Sequence, residues 1–141
     1  MRLIRAALVF LAATATLGAE CPSSPTARTA MLSSSVTAIA ASSGVALTLT
    51  VTNPSSAPLT LEFSSGQQFD FRVRRSDGTV VWLWSADKLF TAMLTSRSLA
   101  PGETATYSAV WSPVTPGSYL AVGTLTSTSH AGEATAAFVV P

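Results

Sequence analysis

The sequence predicts an all-β protein, an antiparallel β-sandwich of about eight or nine short strands, on three observations. Apolar residues recur at every second position in run after run. Pro, Gly, Asn and Asp turn signals separate those runs. No stretch holds the period of a long helix.

The first residues stand apart from that pattern. Arg2 and Arg5 make a basic start, Ala6 to Ala13 is an unbroken apolar run, and Thr16-Leu17-Gly18-Ala19 supplies small residues. Residues 1–19 therefore read as a secretory signal peptide cut after Ala19, which predicts an exported protein of the periplasm, cell envelope or extracellular space. The run is far short of the roughly 18 residues that span a bilayer, so no membrane span is expected. Cys21 is the one residue that could carry a lipid anchor, but Glu20 stands where a lipoprotein signal wants a small residue, which argues against it.

Cleavage leaves six basic against seven acidic residues. Charge is 11% of the 141-residue chain and shows no run of one sign, which excludes a nucleic-acid partner held through phosphates. One Cys and one His exclude an internal disulfide and a Cys/His zinc cluster, and no cofactor is expected.

Residues 20–35 are rich in Ser, Thr, Pro and Ala and read as an arm; residues 36–141 read as one folded domain. Val45, Leu47, Leu49 and Val51 alternate with Ala46, Thr48 and Thr50, and Asn53-Pro54-Ser55-Ser56 ends that strand. Leu59, Leu61 and Phe63 form the next run, closed by Ser64-Ser65-Gly66. Phe69, Phe71 and Val73 then alternate with Asp70, Arg72 and Arg74, and Val80, Trp82 and Trp84 follow Asp77-Gly78. If Asp77-Gly78 is a two-residue type I′ turn, Val73 lies opposite Trp82 and Phe71 opposite Trp84. The aromatics then share one face with Val73, and the arginines take the other.

Ser85 to Met93 breaks the alternation, and reads equally as a short helical turn capped by Ser85 and running through Asp87, Lys88 and Leu89, or as loop. Strands follow at about Ser96 to Leu99, Ala105 to Trp111, Tyr119 to Leu125 and Glu133 to Val140, with Pro101-Gly102 and Pro116-Gly117 as turns. This spacing reads as a sandwich of immunoglobulin-like type, with a barrel as the runner-up, and the core needs no disulfide at this size.

Catalytic constellations are hard to build. His130 sits in Ser127-Thr128-Ser129-His130 without a Gly-x-Ser-x-Gly elbow, and reads as a solvated loop residue. The carboxylates Asp70, Asp77, Asp87, Glu103 and Glu133 are dispersed. Trp82 and Trp84 could stack on a sugar, but their apolar hairpin partners favour burial. The expectation is a protein that is not an enzyme.

An ordered series of segments carries a family resemblance. Thr52-Asn53-Pro54, Phe63-Ser64-Ser65-Gly66-Gln67, Phe69-Asp70-Phe71, Asp77-Gly78 and Trp82-Leu83-Trp84-Ser85-Ala86-Asp87-Lys88 with Phe90 come first. Leu99-Ala100-Pro101-Gly102-Glu103, Trp111 and Pro116-Gly117-Ser118-Tyr119 complete it. The chain resembles the intracellular proteinase inhibitor (BsuPI-type) domain family from about Val45 to Val140. The resemblance implies an immunoglobulin-like sandwich and a protein partner, a subtilisin-like serine protease. The alternative is a structural or adhesive protein-binding module of the cell envelope, because sandwiches serve many unrelated roles.

If the chain inhibits, its contact loop should be exposed and apolar. Ser85 to Thr95 suits best, with Lys88, Leu89, Phe90 and Met93 as candidate contacts and Leu94 beside them. Against this, each large apolar side chain left in water costs about 1.5–3 kcal/mol. That cost favours Leu89 and Phe90 folding back to plug one end of the sandwich.

Overall fold

The computed structural model describes residues 31–112 and 114–141. The expected signal peptide, Cys21 and most of the expected arm lie outside the described residues. Nine antiparallel strands run in the order β1 (Ser33–Ala41), β2 (Gly44–Thr52), β3 (Leu59–Phe63), β4 (Phe69–Arg75), β5 (Val80–Leu83), β6 (Thr95–Leu99), β7 (Thr104–Trp111), β8 (Gly117–Leu125) and β9 (Gly132–Val140). β1 opens at Ser33, three residues ahead of the expected boundary at Val36.

One sheet has the order β1-β2-β7 and the other β5-β4-β8-β9. This is the strand order of an immunoglobulin-like sandwich. Alternation makes the core: Val45, Leu47, Leu49 and Val51 of β2 are fully buried, as are Phe71 and Val73 of β4 and Ala121 of β8. Gly123 lets the two sheets close up, since a Cβ there would lie 2.5 Å from a Val36 methyl and 3.1 Å from the Phe71 ring. Tyr119, near the start of β8, donates its hydroxyl to the Thr115 carbonyl at 2.8 Å, the tyrosine-corner bond of such sandwiches.

β3 and β6 form a separate ribbon that continues the β2–β7 ladder beyond an interruption. Asn53 sits at that interruption and is the one fully buried polar residue among those described. Its amide donates to the carbonyls of Ala57 (2.8 Å), Leu99 (3.0 Å) and Ala100 (3.2 Å), while its Oδ1 accepts from the backbone N–H and hydroxyl of Ser55. The Thr128 N–H donates to the Glu62 carbonyl and the Ser129 hydroxyl to the Thr60 carbonyl, so the β8–β9 loop covers one edge of β3.

The β4–β5 hairpin departs from its expected turn. Arg75 N–H bonds the Thr79 carbonyl, and Gly78 N–H bonds the Arg75 carbonyl, both at 2.9 Å. The loop therefore holds three residues, with Gly78 left-handed at φ 88°, and no described residue other than glycine takes positive φ. A type I′ turn at Asp77-Gly78 would need positive φ at Asp77, so the turn is type I followed by a left-handed glycine. The extra loop residue is offset by a bulge between Val73 and Arg74, which restores Val73 opposite Trp82. Phe71 does not face Trp84, because the chain leaves the strand at Leu83. Trp82 and Trp84 are half-buried against the core, while Arg72 is exposed and Arg74 half-buried.

Candidate functional site

The segment between β5 and β6 opens with a single 3-10 turn, Trp84–Asp87. Ser85 does not cap a helical turn reaching Leu89. Its hydroxyl donates to Asp70 Oδ2 at 2.6 Å, and its N–H to Oδ1 at 3.2 Å, so Asp70 on β4 holds the base of the loop. Trp84 leaves the sheet to stack on Phe69 at 4.2 Å, and Phe69 stacks in turn on Tyr107 at 5.0 Å. Phe90 packs against Trp84 at 5.7 Å, and Lys88 Nζ lies 5.0 Å from the centre of the Trp84 ring. Trp84 is thus a pillar of the loop, not a free platform for sugar.

The far side of the loop is tied as well. Gly66 N–H donates to the Thr91 carbonyl at 2.9 Å, and the Thr95 hydroxyl to the Ser65 carbonyl at 3.3 Å. Between these ties the apolar side chains point outward. Leu89 is 101% exposed, Leu94 82% and Met93 61%. The expected plug is therefore only Phe90; Leu89 does not fold back. Phe90 joins the stack of Trp84, Phe69 and Tyr107 against the core, and Leu89 takes no part in it. A hollow of about 390 Å³ opens beside Leu94, lined by Glu62, Phe63, Ser64, Thr95, Ser96 and Thr128.

Lys88 bridges to Asp87 Oδ1 at 3.0 Å, the one ion pair among the described residues. Its hydrogen bond, and then its charge, hold the Asp87 carboxyl below the usual carboxylate value. The candidate contacts Lys88, Leu89, Phe90 and Met93 thus share one loop, in which Phe90 anchors while Leu89 and Met93 project.

His130 differs from the expected solvated residue. It is half-buried, with Nδ1 3.0 Å from the Ser129 hydroxyl. That hydroxyl has one proton and gives it to the Thr60 carbonyl, while accepting from the Glu62 N–H at 3.0 Å. The pair is a brace on β3. The dispersed carboxylates are similarly occupied. Asp70 holds Ser85, Asp77 accepts from the Thr79 N–H at 2.8 Å, and Glu103 accepts from the Ala100 N–H at 2.8 Å. Among the described residues no three metal-ligating side chains gather, and no helix is long and apolar enough to cross a membrane.

Sequence reasoning missed the anchors Asp70 and Gly66. Asp70 stands at an ordinary outward strand position, and only the fold brings it to a residue 15 positions away.

The fold is a β-sandwich that presents an apolar segment tied at both ends. The family described as intracellular proteinase inhibitor, BsuPI, matches residues 32–130, and the chain belongs to that family. The family is one of inhibitors, not enzymes. Among solved structures the chain is similar to the Bacteroides uniformis beta-glucuronidase, with 19% identity and a TM-score of 0.39, covering 74% of this chain. It spans 12% of that protein's length. A search of curated proteins finds no match.

Proposed function

We propose that the chain is an exported, stoichiometric inhibitor of serine proteases of the subtilisin kind, with the Ser85–Thr95 loop as its contact. The observation that carries this reading is Leu89, fully exposed on a loop tied at both ends. A side chain in that position can enter an apolar specificity pocket. The ties limit the freedom lost on binding, which is where rigid loops gain affinity. Met93 and Leu94 extend the apolar surface towards the roughly 800 Å² per partner of a standard interface.

Titrating the purified protein into subtilisin-type proteases tests this. The expected result is a stoichiometric endpoint for the wild type and none for Leu89→Asp, whose stability should stay within about 0.5 kcal/mol because that side chain touches little. Activity unchanged across a broad protease panel would overturn inhibition. It would favour a protein-binding module of the envelope, which the uncharged β1-β2-β7 sheet also suits. Export rests on the basic start and apolar run of residues 1–19. Mass spectrometry of the native protein should find Glu20 at the N-terminus. An intact Met1 would refute export, and a diacylated Cys21 would establish the lipid anchor in its place.

A further inference from the structure

Strand edges differ in how they are closed. One edge of β3 is covered by Thr128 and Ser129. β5 is four residues long and bulged against β4, and β1 lies alongside β9. β7 is different. It has eight residues and a hydrogen-bonded neighbour, β2, on one side only.

The bonds of Asn53 fix which groups of β7 are free. The Asn53 N–H donates to the Glu103 carbonyl at 3.0 Å, and this pair is in step with Val51 opposite Ala105. Hydrogen-bonded pairs in an antiparallel ladder recur at every second residue. Ala105, Tyr107, Ala109 and Trp111 therefore bond to β2, while Thr104, Thr106, Ser108 and Val110 turn their N–H and C=O groups to the open edge. Among the described residues no backbone group takes them.

Nothing on β7 protects that edge. It has no Pro, no Lys, no charged side chain and no bulge against β2. The neighbouring strands β1 and β2 carry no charge either. Two copies can approach edge to edge without meeting like charges; Glu103 is the nearest charged residue in sequence, and antiparallel pairing sends the two copies of it to opposite ends.

We propose that β7 pairs antiparallel with β7 of a second copy of this chain, joining two three-stranded sheets into one of six strands. About Tyr107 as centre, Thr106 of each copy faces Ser108 of the other, and Thr104 faces Val110. The pairing repeats the hydroxyl contacts that the sheet already makes, Thr48 with Ser108 at 3.3 Å and Thr52 with Thr104 at 2.9 Å. One shared strand edge buries less than the roughly 1,200–2,000 Å² of a standard interface, so the dimer forms at micromolar and higher concentrations and exchanges. A two-fold contact of this kind closes on itself, which limits growth to the dimer.

Sedimentation equilibrium of the protein from about 5 to 500 µM spans that weak regime. The weight-average mass should climb towards twice the monomer. Thr106→Pro removes an N–H that faces the open edge and leaves the β2 ladder whole, so association should weaken about tenfold or more. Ser108→Lys, which keeps every backbone group, should do the same by charging the edge, and it answers the question should the proline variant fail to fold. Thr37→Lys, on the far strand of the same face, should dimerise as the wild type does. A monomer mass throughout would overturn the proposal, as would a dimer that survives both edge variants or is lost equally in Thr37→Lys.

Discussion

Asn53 supplies three hydrogen bonds to carbonyls and accepts two, all from a position with no exposed surface. In the sequence it reads as a turn former before Pro54, because nothing local reveals that Leu99 and Ala100 will converge on it. Asn53→Ala would remove every one of those side-chain bonds, the buried one to the Leu99 carbonyl included, and urea unfolding should show a loss of about 2–3 kcal/mol. Asn53→Asp should be worse, because a carboxylate cannot donate to carbonyls; equal stability for the two variants would contradict the bonding described. Asp87 works at the rim in the opposite regime, fully exposed and acting through Lys88 alone. Its depressed pKa means the pair contributes above the unfolded value and is lost as pH falls through the folded one. Lys88 then stays beside Trp84 throughout about pH 5–8, well above the carboxylate range. Inhibitory endpoints at the two ends of that range should agree for a protease active at both. A fall towards pH 5 would mean that another group governs the loop.

Among the elements, the β4–β5 hairpin is the clearest case of what can be read in advance. Alternation placed Val73 opposite Trp82, and the structure keeps that pair even though the turn has three loop residues and not two. The bulge absorbs the difference, because β8 holds β4 in place and a one-residue slip of β5 would turn Trp82 away from the core face. Trp84 could not be placed the same way; it stacks on Phe69 of β4, which stacks in turn on Tyr107 of β7, and that stacking goes with the strand ending at Leu83. The loop chemistry of Ser85 to Thr95 was legible as an apolar run, but which side chains face water depended on ties to Asp70 and Gly66 that nothing local in the sequence reveals. Ser85→Ala tests the anchoring directly. It removes the 2.6 Å bond to Asp70 while leaving Leu89 in place, so stability should drop by about 1 kcal/mol and inhibition should weaken. Inhibition at full strength would show that the loop needs no such tie. Gly123→Ala probes the sheet contact instead. Its Cβ would press on Val36, Phe71 and Leu49, an overpacking worth about 1–3 kcal/mol in thermal or urea unfolding.

At the scale of the whole molecule, the strands fall into two groups by how many neighbours hold them. β2, β4 and β8 are each hydrogen-bonded on both sides, and they carry the fully buried Leu47, Leu49, Phe71, Val73 and Ala121. Amides there can exchange with solvent only when the sandwich opens as a unit, so they should share the slowest rates in native-state hydrogen exchange. β7 splits residue by residue. Ala105, Tyr107 and Ala109 donate to β2 and should be slow, whereas Thr104, Thr106, Ser108 and Val110 face the open edge and should exchange orders of magnitude faster in the monomer. The ribbon gives the same contrast on a shorter length. The outward groups of Glu62 go to the β8–β9 loop, so its partner Ser96 must turn its own N–H to the far side, away from β3. Ser96 and Ser98 should therefore be fast and Arg97 slow. Raising the concentration separates structure from association. If β7 pairs with its copy, Thr106 and Ser108 become protected as the dimer fills, while Ser96 and Ser98 stay fast. Uniform protection along β7 at low concentration would mean that its edge is closed within one chain. Uniformly fast exchange along β7 would mean that the β2–β7 ladder is not formed as described.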